Sequence, residues 1–380
     1  MKKIMINAIS IKMGGGVVVF TRTFHAMREL DKTTQWVVII DEALQDIVVT
    51  DDRVMVLMFP WIKKSALHYL YWNEIYLPRL VKKLQISCYV SEINTLPFRP
   101  LSCSTFLSVF HAGYFSKVFT DLYFKYNNSF RGKLGFLFRK YWVLLSIKRA
   151  NRIGVMTEAL ANEFVTQLKI TREKVITISP GIGLSAGQCL PKKNITQKNW
   201  RIGYITKYGV QKNFDVLFRA AQTLKTKGIA FKLILTLDAQ HAPFQHVNTL
   251  IQKYHIADVI ENHGEISEKE LQNLYQTLDL FIFPSICEAF GFTIIEAMHY
   301  GLPVIAADTE SNREILGDQG IFFDAHNDQA LVEMILNVMY CKEYYVRSSA
   351  YSIERSKLFS WEKAGKETLA ILKELTCTMH

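Results

Sequence analysis

This sequence of 380 residues lacks paired cysteines, metal-ligand clusters and long apolar runs. Its six cysteines, Cys88, Cys103, Cys189, Cys287, Cys341 and Cys377, form no C-x-x-C pair, and none stands at ligand spacing with histidines. That excludes a disulfide scaffold or zinc module and points to a reduced, cytoplasmic chain. No Asp-x-Asp occurs, so a tightly bound catalytic metal is not implied. No apolar run reaches the roughly 18–20 residues of a membrane-spanning helix. The start, "MKKIMINAIS", is too short in its apolar part for a signal peptide and reads as a first strand. Low-complexity tracts and internal repeats are absent, which confines disorder to short loops and the C-terminal end. Helix-turn-helix, zinc-finger and RNP-like motifs are absent too, so nucleic acid is not an expected partner.

Apolar residues make up 49% of the chain, and its length suits two domains with a core each. The net charge of +10 is uneven: residues 1–180 carry about +12 and residues 181–380 about −2. In the first half, cations mix with aromatics, as in "PWIKKSALHYLYWNEIYLPRLVKK" and "GYFSKVFTDLYFKYNNSFRGKLGFLFRKYWVLLSIKRANR". Core helices with basic outer faces would read this way. We prefer peripheral association with an anionic membrane, because Lys and Arg beside Trp, Tyr and Phe suit a lipid headgroup interface.

Short apolar runs alternate with helical segments. "KKIMINAIS", "WVVIID", "VMVLMF", "ISCYV", "TFLSVFHA", "RIGVMT" and "VITISPGIG" read as strands of a first parallel sheet. The polar stretch "LSAGQCLPKKNITQKNW" reads as a linker. The alternation restarts with "RIGYI", "FKLILTL", "DVIENHG", "DLFIFPS" and "PVIAAD", and helices fall between them. The expected fold class is α/β, with two doubly wound Rossmann-like domains facing a central cleft. The domains are residues 1–185 and 186–355, and a terminal helix at 356–380 packs back on the first.

The segment "SICEAFGFTIIEAMHYGLPVIAADT" holds two glutamates, Glu288 and Glu296. Thr293 and Glu296 have the spacing of a Thr-x-x-Glu capping box. Glu288 lies before that helix, at the carboxyl end of "DLFIFPS", where ligands of open α/β sheets bind. The amides of Gly291, Phe292 and Thr293 start the helix and suit an anion such as a diphosphate. Carboxylates on either side of an anion site make sense as acceptors for the hydroxyls of a sugar and a ribose.

"EAFGFTIIEA", followed by "GLPVIAADTESNREILG" and "GIFFD", resembles the donor-binding segment of the retaining glycosyltransferases of family four, which have the GT-B fold. The resemblance covers most of residues 200–330 and is weaker before them. It implies that Glu288 contacts hydroxyls of the donor sugar and that Glu296 holds the ribose. It also implies that the segment Phe290, Gly291, Phe292 and Thr293 takes the diphosphate. Lys212 matches the family's phosphate-binding lysine. The arginine usual a few residues earlier is missing, and Thr206 and Lys207 stand there, which leaves Lys207 as a candidate replacement. Donor contacts are also expected around Glu265 and Ile266, and at Gly15 and Gly16 of the first-half glycine turn. His111 matches a histidine that reaches the donor sugar, although Ala112 breaks the family's His-Asp pair.

The implied function is transfer of a sugar from a nucleoside-diphosphate sugar to a glycan or polyprenyl-diphosphate-linked acceptor. No cofactor or metal is required, and the setting is bacterial surface-polysaccharide assembly on the cytoplasmic face of the inner membrane. Two alternatives remain. One is a non-catalytic GT-B-like binding protein. The other is a dinucleotide-dependent oxidoreductase, with Gly14-Gly15-Gly16 and Asp41 as its fingerprint. Val19 stands where that fingerprint needs its third glycine.

Overall fold

The computed structural model describes residues 2–12, 14–48, 50–127, 129–184, 199–240 and 243–377. The expected linker and Cys189 lie mostly or wholly outside these residues. The described residues form two compact units, one of residues 1–115, 127–181 and 360–380, the other of residues 116–126 and 182–359.

The first unit holds β1 (Lys3–Ala8), β2 (Gln35–Ile40), β3 (Val54–Met58), β4 (Cys88–Ser91), β5 (Ser104–Ser108), β6 (Arg152–Val155) and β7 (Val175–Thr177). They form one parallel sheet in the order β3-β2-β1-β4-β5-β6-β7. Strands such as "QWVVII" are apolar and buried after their first residue because helices cover both faces of such a sheet. On one face, Ile4, Ile6, Val38 and Ile40 pack with Phe20, Phe24 and Met27 of the helix Gly15–Leu30, and with Leu372 of the terminal helix Trp361–Cys377. Gly14 caps the Gly15–Leu30 helix at φ 71°, a left-handed conformation that favours glycine. Gly15 and Gly16 lie inside the helix, in its first turn.

The second unit holds β8 (Trp200–Tyr204), β9 (Phe231–Leu235), β10 (Ile260–Asn262), β11 (Leu280–Phe283), β12 (Val304–Ala307) and β13 (Ile321–Phe323). Its parallel order is β10-β9-β8-β11-β12-β13. The strand order reverses between β8 and β11: β9 and β10 add on one side of β8, β12 and β13 on the far side of β11, so the loops leaving these two parallel neighbours diverge and open a crevice at their carboxyl ends.

Two features depart from the sequence reading. The helix Lys117–Tyr126, expected in the first domain, belongs to the second unit. It packs against the turn Val210–Lys212, and the Tyr126 ring centre lies 5.2 Å from that of His246, with the rings tilted. The second is the helix Lys342–Ser356, which was not anticipated. Much of its buried face is serine: Ser348, Ser349, Ser352 and Ser356.

Candidate active site

The site is built where β8 and β11 part. Past β8 the chain makes the turn Val210–Lys212, and Asn213 follows in a left-handed conformation at φ 53°. That geometry is tolerated because the Asn213 Nδ2 donates to the carbonyls of Pro284 at 3.2 Å and Ala325 at 2.8 Å. The Ile286 amide donates to the Gln211 carbonyl at 3.1 Å. From below, the fully buried Tyr204 donates its hydroxyl to the Lys212 carbonyl at 2.8 Å and lies 3.1 Å from the Ser285 hydroxyl. The two loops are thus fastened together by main-chain and buried side-chain hydrogen bonds.

This fastening brings Lys212 and Glu288 together. Their Nζ and Oε1 lie 2.6 Å apart, and each side chain is only 16% exposed. A pair this shielded feels its partner far more strongly than a surface pair does. Lys212 also lies 6.0 Å from the centre of the Phe283 ring.

Lys207 and Glu265 form a second pair at 2.7 Å, with side chains 64% and 62% exposed. The strand ends of β8 and β10 carry them, and solvent screens them. Ile266 beside them is half-buried and leads into the helix Glu268–Thr277, which Ser267 and Glu270 start with a capping box.

The helix Phe292–His299 begins directly after Glu288, Ala289, Phe290 and Gly291. Gly291 occupies the cap, and its carbonyl accepts from the Ile294 and Ile295 amides. The expected Thr293–Glu296 capping box is therefore absent. The helix starts earlier than that box needs, which places Glu296 more than a turn inside. Phe292 and Thr293 supply first-turn amides. The Phe290 side chain is 7% exposed and packs on Phe292 and Phe359, with ring centres 5.1 and 5.7 Å away. Its ring shapes the turn, so a ligand contact at this position falls to the backbone.

Glu296 is 7% exposed, and its Oε2 accepts the Tyr275 hydroxyl at 2.9 Å. Burial raises its pKa to about 7; the Tyr275 hydrogen bond opposes this and the charge of Glu268 adds to it. Because the folded state holds this proton more tightly than the unfolded chain, the stabilising contribution is present below the ordinary value of 4.5 and is lost as pH rises through about 7. Glu296→Gln should remove that loss. It is expected to be about 2–3 kcal/mol more stable relative to the native chain at about pH 8 than at about pH 5. Urea denaturation at both pH values checks this. The readout is the difference between the two proteins, since Glu92, also raised to about 7 by burial, adds the same slope to both. An identical slope in both proteins would contradict the buried placement.

The remaining predicted residues, Gly15, Gly16 and His111, belong to the first unit. His111 is exposed, follows β5, and accepts the Gly113 amide on Nδ1 at 3.0 Å. That bond puts the proton of the neutral ring on Nε2. Sequence reasoning missed Tyr204, Asn213, Ser285 and Tyr275. Their partners lie far off along the chain, so no local pattern announces them. Among the described residues, no three His, Cys, Asp or Glu side chains are grouped to hold a metal ion.

The fold defines a class. Sucrose-phosphate synthase from Thermosynechococcus elongatus superposes with a TM-score of 0.77 at 14% identity, over 99% of this chain and 100% of that one. Anabaena HepE, solved in complex with UDP and glucose, gives 0.70 at 15% identity, over 98% and 100%. Such similarity shows a shared GT-B fold. Residues 189–355, within the second unit, match the family model described as glycosyl transferases group 1. The O-antigen chain mannosyltransferase B of Escherichia coli is 26% identical over 239 residues, which are 60% of this chain and 62% of the relative. The chain thus spans less than two thirds of that relative's length.

Proposed function

We propose that this protein is a retaining glycosyltransferase that moves a sugar from a nucleoside-diphosphate sugar to a glycan or polyprenyl-diphosphate-linked acceptor in bacterial surface-polysaccharide assembly. The observation that carries this reading is the Lys212–Glu288 pair at the switch point, directly before a helix start. Similarity to the O-antigen mannosyltransferase supports the polysaccharide setting. HepE, of the same fold, supports a nucleotide-sugar donor.

In this reading the diphosphate lies on the Phe292 and Thr293 amides and draws the Lys212 ammonium toward its oxygens. Glu288, relieved of its cation, accepts hydroxyls of the sugar. Glu296, fixed by Tyr275, accepts a ribose hydroxyl. As the bond from the sugar to the diphosphate breaks, charge grows on the leaving oxygen, and Lys212 and the helix start meet it in place. The acceptor hydroxyl arrives on the same face and the anomeric configuration is kept. His111 is assigned to the donor sugar through its Nε2 proton. The reading gives no part to a metal ion or further cofactor. The work takes place on the cytoplasmic face of the inner membrane, with the protein peripherally bound.

The test is a thermal-shift panel of nucleotide sugars, followed by incubation of the best binder with the protein. Stabilisation by one donor class and release of the free sugar with its original anomeric configuration, followed by proton NMR, is the expected result. Absence of any stabilising nucleotide sugar would refute the reading.

A further inference from the structure

The helix Phe130–Arg149 of the first unit has two apolar faces. One, with Phe136, Trp142, Val143 and Ile147, is buried. Trp142 anchors it, donating its indole N–H to the Leu96 carbonyl at 2.7 Å and stacking on Phe98 at 4.9 Å. The other face points into solvent. Phe130 is 81% exposed, Leu134 58%, Leu137 46%, Phe138 50% and Tyr141 58%. With 3.6 residues per turn, these five side chains project within about 100° of one another. By the same repeat, Lys133 and Lys140 line one flank of the stripe, and Arg131 lies on the other.

The charge carried by this helix and its flanking sequence has one sign. Between Asp121 and Glu158 the sequence carries eight lysines and arginines and no acidic residue. A second exposed apolar group, Leu67, Leu70 and Tyr71, stands on the short helix Ala66–Tyr71 of the same unit. Among the described residues no helix is long and apolar enough to cross a membrane.

We propose that the solvent-facing stripe of the Phe130–Arg149 helix is the surface by which this protein docks on an anionic lipid bilayer. Apolar side chains enter the boundary between headgroups and acyl chains, and the flanking cations stay at the level of the lipid phosphates. A soluble partner would meet the same apolar stripe, but a helix that carries cations and no acidic side chain along its whole length fits a uniformly negative surface best. This deepens the membrane partner of the proposed function by naming the face that meets it.

The experiment is flotation of the full chain with phosphatidylcholine vesicles, with and without phosphatidylglycerol. The native protein should float with the anionic vesicles, and added salt should release it. Leu134→Ser/Leu137→Ser should weaken binding at least about tenfold, since each exposed leucine contributes on the order of that factor when buried. Lys133→Glu/Lys140→Glu should weaken it comparably. Lys227→Glu/Lys342→Glu, with the same net charge change in the second unit, should bind as the native protein does. Equal binding to neutral and anionic vesicles would overturn the proposal. So would native-like binding by both stripe variants, or sedimentation showing that the leucine variant only dissociates a dimer. None of these readouts uses a sugar donor, so failure of the donor site would leave the vesicle result unchanged, and the reverse holds too.

Discussion

Glu288→Ala and Lys212→Ala are each expected to lower turnover about a hundredfold while the protein stays folded. The magnitude follows from the kind of interaction removed. A fixed cation or donor facing charge that develops in a transition state typically accounts for about a hundred- to a thousandfold in rate. Here the two groups are 2.6 Å apart and 16% exposed, so water replaces either one poorly. Each removal also leaves the other charge without its partner in a shielded place, which disturbs the position of the survivor. The double variant should therefore be little slower than either single one, because the two side chains act as a unit. Lys207→Ala is the comparison. Its partner Glu265 is 62% exposed, and the variant should lose no more than about threefold, in line with an exposed pair worth under about 1 kcal/mol. Donor consumption under saturating donor separates these outcomes. Equal losses at Lys207 and Lys212 would show that the switch point does not select between them.

Gly365→Leu should destabilise the first unit by about 2–4 kcal/mol, the cost of overpacking a close contact. A Cβ at position 365 would lie 2.5 Å from the Ala26 Cβ and 3.2 Å from the Ala26 carbonyl carbon and the Met27 nitrogen. Two of these atoms are main chain, so no rotamer change relieves the clash. The helices Gly15–Leu30 and Trp361–Cys377 would have to separate. The same pair is held at its end by Lys373, 3.2 Å from the buried Asp31 carboxylate. Asp31 stays ionised well below the ordinary carboxylate range, because hydrogen bonds from Thr33, Thr34 and Lys373 outweigh its burial. Chemical denaturation of the variant checks the prediction, and native stability would mean that the terminal helix does not pack at this point.

The strands were legible in the sequence because a parallel sheet covered on both faces needs unbroken apolar runs, and few other segments of this chain have them. "DLFIFPS" and "RIGYI" gave β11 and β8 almost to the residue. Glu288 was singled out for a related reason, since it follows β11 at the carboxyl end of the sheet, whereas Lys212 was singled out only by its match to the family's lysine. Less local features were hidden. The helix Lys342–Ser356 buries serines, so a search for apolar periodicity passes over it. Lys117–Tyr126 belongs with the second unit through contacts to residues such as Val210 and His246, distant along the chain. The Thr-x-x-Glu pattern at Thr293 was a misleading local signal, because Gly291 starts the helix first and leaves Glu296 to accept the Tyr275 hydroxyl instead of capping it.

The central claim is that the second unit binds a nucleoside diphosphate where β8 and β11 diverge. Calorimetric titration of the nucleoside diphosphate of the best donor into the native protein and into Lys212→Ala tests it most directly. At least about a tenfold loss of affinity in the variant is predicted, in keeping with a charge-assisted contact of about 1.5–3 kcal/mol. Equal affinity in the two proteins would contradict the account.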